Sequence, residues 1–122
     1  MFDHISIQVS DFEKGLAFYR AALAPLGYEA QHVDASGKSA GFGPEGSPAL
    51  WIAEGKRTSQ VHVAFKSAGR AAVQRFHEAA RGAGGKDNGK PGLRADYGEG
   101  YYAAFVFDPD GNNVEAVTLS AK

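Results

Sequence analysis

The chain has 122 residues, the length of one ordinary domain, and 43% of them are hydrophobic, enough to build a core. A formal net charge of -1 with no long basic run argues against nucleic acid as a partner, and no apolar run approaches a membrane span. With no cysteine, disulfides and thiolate metal sites are excluded, so any metal must be held by nitrogen and oxygen. The start, Met1-Phe2-Asp3-His4, does not read as a secretory signal, and the expected compartment is cytoplasmic.

Residues 4–9, His-Ile-Ser-Ile-Gln-Val, alternate. Ile5, Ile7 and Val9 face one way and His4, Ser6 and Gln8 the other, as in a strand with one apolar and one polar face. Ser10 and Glu13 have capping-box spacing, and Phe12, Leu16, Tyr19 and Leu23 then trace one stripe of a helix closed by Pro25 and Gly27. Three short strands are predicted next, at about 27–33, 38–43 and 49–53, separated by Ser36-Gly37 and by Gly43-Pro44-Glu45-Gly46. The pattern then restarts. Residues 61–65 alternate, with His62 and Ala64 opposite Val61, Val63 and Phe65, and a helix is predicted from about Gly69 to Arg81. The polar, glycine-rich stretch 84–100 has the composition of a loop, and its place suggests a lid. Tyr101–Phe107 is an aromatic strand, Asp108-Pro109-Asp110-Gly111 a tight turn, and 113–119 the last strand.

The two halves repeat. His4 and His62 are 58 positions apart, as are Phe18 and Phe76, while Pro44-Glu45-Gly46 and Pro109-Asp110-Gly111 are 65 apart. The expected fold is α+β: two βαβββ modules pairing into a curved sheet around a cleft, with helices on the outside. Module one covers about 1–54, a short polar linker 55–59, and module two about 60–122. His4, His62 and Glu115 are the leading site candidates, since two imidazoles and a carboxylate make an open divalent-metal site. Glu115 sits between Val114 and Ala116, where an unpaired charge would be costly and a metal would supply its partner. Leu50, or Trp51 with a one-residue slip, stands at the matching position of the first half.

These residues resemble the vicinal oxygen chelate superfamily, which includes glyoxalase I, the extradiol dioxygenases, and the fosfomycin- and bleomycin-resistance proteins. The resemblance rests on His4, Phe18-Tyr19, His62 and the segment Phe107-Asp108-Pro109-Asp110-Gly111-Asn112-Asn113-Val114-Glu115. It implies paired modules, His4, His62 and Glu115 as metal ligands, and a small oxygenated substrate chelated through two adjacent oxygens. It also implies a homodimer, in some members with modules exchanged between chains. Glyoxalase I usually has a fourth protein ligand where Leu50 or Trp51 stands here, so the ligand set is closer to the dioxygenase and fosfomycin-resistance arrangements. Iron, manganese, nickel and zinc all accept such a set.

Other residues take supporting roles in this reading. Tyr101 is assigned beside Glu115 as a catalytic candidate. Gln8, Trp51, Arg94 and Tyr102 are candidates for substrate binding, Arg94 as a clamp for an anionic group. His32 and His77 are set aside as solvated, and the 108–111 acids as turn formers. The competing reading is a metal-free protein that sequesters a small molecule, as the bleomycin-resistance members do.

Overall fold

The computed structural model describes residues 2–56 and 60–122. The expected linker, 55–59, therefore lies partly outside the described residues. The first module runs β1 (Ile5–Val9), α1 (Phe12–Leu23), a 3-10 turn (Ala24–Leu26), β2 (Glu29–Asp34), β3 (Ser39–Gly43) and β4 (Leu50–Glu54). The second runs β5 (His62–Lys66), α2 (Arg70–Gly82), β6 (Lys86–Leu93), a 3-10 turn (Ala95–Tyr97), β7 (Tyr102–Phe107) and β8 (Asn113–Thr118). Each module makes a four-stranded mixed sheet, in the orders β1-β4-β3-β2 and β5-β8-β7-β6. In both, the first and last strands pair in parallel and the rest antiparallel. The α+β architecture of two paired βαβββ modules is the one expected from the repeat.

Helix α1 forms because its apolar stripe meets a core. Phe12, Leu16, Phe18, Tyr19, Ala22 and Leu23 are all buried. Its N-cap is Asp11, whose side chain accepts from Lys14 N at 3.1 Å, not the expected Ser10. Either residue type caps well, and Asp11 occupies the extended backbone position where the helix starts. The Glu54 carboxylate takes the Phe12 N–H at 2.9 Å and is held by Lys38 at 3.2 Å, so this acid serves the helix end. A cap is worth about 0.5–2 kcal/mol, whereas each fully buried large side chain contributes about 1.5–3 kcal/mol. The core face therefore dominates.

The modules join through their helices. Helices α1 and α2 pack together, and one core runs from Phe42 and Ile52 through Phe18 and Phe76 to Val106 and Val114. Among the described residues no ladder joins the two sheets. Within one chain the two sheets are separate ladders, and α1 and α2 pack together over the shared core. Gly85 permits this approach, since a Cβ there would lie 2.5 Å from Val106 and 2.7 Å from Phe18. At the same seam the Tyr19 hydroxyl donates to Asp108 at 2.6 Å.

Two expectations in the second module change. Lys86–Leu93, within the stretch 84–100, is strand β6, paired to β7, with register shifts around Gly89 and up to Gly92. Its glycines and Pro91 are tolerated because β6 is an edge strand. A lid over 84–100 is therefore ruled out for the ladder-bonded part. His77 is also not solvated: it is 5% exposed, and its Nε2 lies 2.8 Å from Asp87 Oδ1.

The His77 contact, followed by the Gly89 N–H, holds the Asp87 carboxyl below its ordinary range. A depressed acid contributes stability that is present above the ordinary aspartate range and is lost as pH falls through the folded value. In His77→Ala the Asp87 midpoint is expected to move up towards an ordinary aspartate. Carbon-13 NMR of the carboxyl, read against pH, checks this; an unmoved midpoint would show that the ring does not hold the acid.

Candidate metal and substrate site

Period-two alternation and the β5–β8–β7 register build the site. His62 pairs with Asn113, and Ala64 with Glu115, in the parallel ladder; Phe105 pairs with Glu115 across β7. His62, Asn113, Glu115, Val117 and Phe105 therefore share the face turned away from the helices, while Val114, Ala116 and Val106 join the core. The repeat gives the same geometry in the first module. Ser6 pairs with Trp51, so Trp51, not Leu50, is the counterpart of Glu115, and Leu50 is a buried core residue.

Glu115 is 2% exposed although it lies on this outer face. Its Oε1 is 2.9 Å from His62 Nε2, and its Oε2 accepts from the Tyr101 hydroxyl. Burial and the neighbouring Glu115 carboxylate push the Tyr101 phenol up to about 12, so it remains a donor throughout the neutral range. His62 Nδ1 lies 3.0 Å from the Asn113 carbonyl oxygen. A carbonyl only accepts, so Nδ1 carries the proton. Nε2 then turns a lone pair towards a carboxylate oxygen, and that contact is favourable only with a cation or a second proton between them. The donor set and its outer partners fit a divalent metal, with Tyr101 and the Asn113 carbonyl orienting the two ligands.

Around this pair, the His62 ring stacks on Phe105 at 6.2 Å between centroids, and the Arg94 guanidinium lies over Phe105 at 5.4 Å. Tyr97 meets Tyr101 edge-on at 5.4 Å. A groove of about 660 Å³ runs beside them, lined by Lys66, Tyr97, Tyr101, Val117 and Leu119. Asn88 donates to the Asn113 side chain at 3.2 Å. The roles of Asn113 and Asn88 were not anticipated; the signal for Asn113 was its place two residues before Glu115, on the same strand face.

The remaining candidates make no contact with this pair among those observed. His4 stands just before β1, is half exposed, and contacts Asp3 at 2.7 Å. Among the described residues of one chain, no three His, Asp or Glu side chains converge closely enough to hold a metal. Gln8 is on the exposed face of β1, over Gly55. Trp51 is half-buried on the same sheet, flat over Gly41 and stacked on His32 at 5.8 Å, so it forms a wall and does not fill the core. Tyr102 does fill the core: it is 9% exposed, its hydroxyl accepts from Gln74 at 2.9 Å, and Arg70 lies over its ring. Alternation along β7 turns it away from Tyr101, which removes it from the cleft face. No helix among the described residues is long and apolar enough to cross a membrane.

Comparison with known proteins agrees with this fold. A glyoxalase/bleomycin resistance protein from Albidiferax ferrireducens T118 superposes with a TM-score of 0.79 at 24% identity, covering 96% of this chain and 97% of that one. A glyoxalase/bleomycin resistance protein/dioxygenase family enzyme from Burkholderia phytofirmans PsJN gives 0.72 at 16% identity, covering 97% and 98%. The V278E mutant of glyoxalase I from Zea mays gives 0.70 at 23% identity, covering 95% of this chain but 45% of the maize chain. No curated protein matches significantly. The family model described as Glyoxalase/Bleomycin resistance protein/Dioxygenase superfamily matches residues 1–116, and the chain belongs to that superfamily.

Proposed function

We propose that this protein is a divalent-metal-dependent enzyme of the glyoxalase/dioxygenase type, acting on a small oxygenated substrate. The observation that carries the reading is the His62–Glu115 pair, with Nε2 2.9 Å from a carboxylate oxygen while Tyr101 and Asn113 hold the outer positions. Bound there, a metal would supply Lewis-acid stabilisation of negative charge on substrate oxygens. The chain's own contribution is orientation. Tyr101 keeps its proton and fixes Glu115, and Phe105 supports the His62 ring. Cleavage with dioxygen, isomerisation and addition are all compatible with this set.

His4 completes the ligands in this reading from a second copy of the chain. The edge strands support it. β6 is broken by register shifts and Pro91, and β2 by a shift near Gln31, devices that discourage further pairing. β1 and β5 are regular, alternating and free of glycine and proline, and each pairs on one side only among the described residues. A homodimer joining β1 of one copy to β5 of the other would bring His4 towards His62 and Glu115.

The test is metal content by mass spectrometry of the untagged protein, after exposure to iron, manganese, nickel and zinc in turn. Stoichiometric metal is expected in the wild type and is expected to be lost in His62→Ala. A His62→Ala protein that keeps its metal would defeat the assignment. The apolar groove beside Tyr97, Tyr101 and Leu119 favours a second reading, metal-free sequestration of a small molecule; no metal with any ion would put that reading first.

A further inference from the structure

We infer that Arg94 is a built anion subsite of this cleft, and that the molecule the cleft takes is an organic anion carrying a carboxylate or a similarly planar oxyanion. The inference rests on the proposed cleft reading and adds the substrate's charge to it. Arg94 follows directly on β6, and its backbone is pinned on both sides: its N–H donates to the Tyr101 carbonyl at 2.8 Å, and its carbonyl accepts from Tyr97 at 3.0 Å. One guanidinium N–H donates to the Lys90 carbonyl at 2.6 Å, and the plane lies over Phe105.

The glycines of β6 make room for this plane. A Cβ at Gly89 would come within 3.1 Å of one guanidinium nitrogen, and a Cβ at Gly92 within 3.2 Å of the other. The register shifts of β6 fall at these same residues. Fixing an arginine costs side-chain entropy, and an arginine with no task on a surface is left in water. Here it is held over the ring while most of its five N–H donors have no partner among the described residues, and no described carboxylate lies within ion-pair distance.

Position supplies the rest. Phe105 also carries the His62 ring and pairs in register with Glu115. In strand order, His62 on β5 and the Gly89–Arg94 edge lie to opposite sides of Phe105 on β7. A molecule lying across Phe105 would thus present one end to His62 and Glu115 and the other to Arg94. The fixed fork of a guanidinium matches the two oxygens of a carboxylate, which a hydrated lysine would not.

The experiment titrates the full-length, chelator-treated protein with benzoate and with its neutral isostere benzamide, following the Arg94 Nε–H by NMR. Benzoate is expected to shift that signal saturably and to bind at least about tenfold more tightly than benzamide. Arg94→Gln should lose about tenfold for benzoate, with partial recovery in Arg94→Lys. Gly92→Ala, which displaces the guanidinium without removing its charge, should also weaken benzoate. Equal binding of the two probes, no saturable binding of either, or unchanged benzoate binding in Arg94→Gln would overturn the proposal. So would an Arg94 signal that moves on dilution of the protein and not with benzoate, since that assigns the arginine to a second copy. The titration is metal-free, and Arg94→Gln should keep the wild-type metal content, so this result stands or falls apart from the His62→Ala test.

Discussion

Asp108→Ala is expected to lower the unfolding free energy by about 3–5 kcal/mol, among the larger single-residue effects for a domain of this size. The carboxylate is 4% exposed and accepts from four donors: the Tyr19 hydroxyl at 2.6 Å, Asn112 N and Nδ2 each at 2.8 Å, and Asp110 N at 2.9 Å. Removing it strands the Tyr19 hydroxyl and the Asn112 amide where water does not easily reach. Burial and then Asp108 itself push the Tyr19 phenol well above its ordinary value, so the tyrosine stays a donor. Tyr19→Phe removes one of the four donors and should cost about 1–2 kcal/mol. Asp110→Ala is the control, because among the described residues that side chain takes only the Ser10 N–H, at 3.1 Å, and its loss should cost under about 1 kcal/mol. Urea unfolding, with midpoint and slope both fitted, separates the three. An Asp108→Ala midpoint near wild type would mean that the turn closes on its backbone bonds alone and that the seam between modules does not depend on this acid.

Mixing two inactive variants is the second large effect expected. If His4 serves the site of the other copy, His4→Ala and His62→Ala are each metal-free, yet a mixed dimer holds one intact set, His4 from one chain with His62 and Glu115 from the other. Random exchange of equal amounts would restore metal to about a quarter of the sites. A site built within one chain gives no restoration, because every chain then carries a missing ligand. The experiment mixes the two purified variants, allows exchange, and measures bound metal against each variant alone. Restoration establishes both the ligand set and its sharing between chains, while two metal-free variants that stay metal-free together would remove the sharing.

Much of this fold was legible because its signals were local. The 4–9 and 61–65 alternations and the Phe12–Leu23 stripe each follow from one physical period, and the 58-residue offset repeats them. β6 was not legible, since Lys-Asp-Asn-Gly-Lys-Pro-Gly-Leu has no alternation, and an edge strand needs none when its partner β7 carries the apolar burden. Missing β6 also hid Asp87 as the partner of His77. Tyr101 and Tyr102 were inseparable in an all-apolar run, where both faces look alike until the register is known. The His62–Glu115 proximity was foreseeable from the repeat. That His4 forms no three-ligand cluster with them among the described residues of one chain was not, because nothing local fixes how closely the two modules meet.

Trp51 occupies the place in the first module that Glu115 occupies in the second. Duplication of one unit would have produced two interchangeable walls, each able to take either end of a guest. This chain has instead an indole lying flat on one wall and a carboxylate with its imidazole on the other, so the inherited twofold equivalence is broken at the one position that matters for chemistry. A molecule between such walls has a single favoured heading. Turned end for end, it would set its apolar face on the carboxylate and imidazole and its oxygens on the indole. Which end of a guest leads is then set by the wall pair itself, without any further residue dedicated to it.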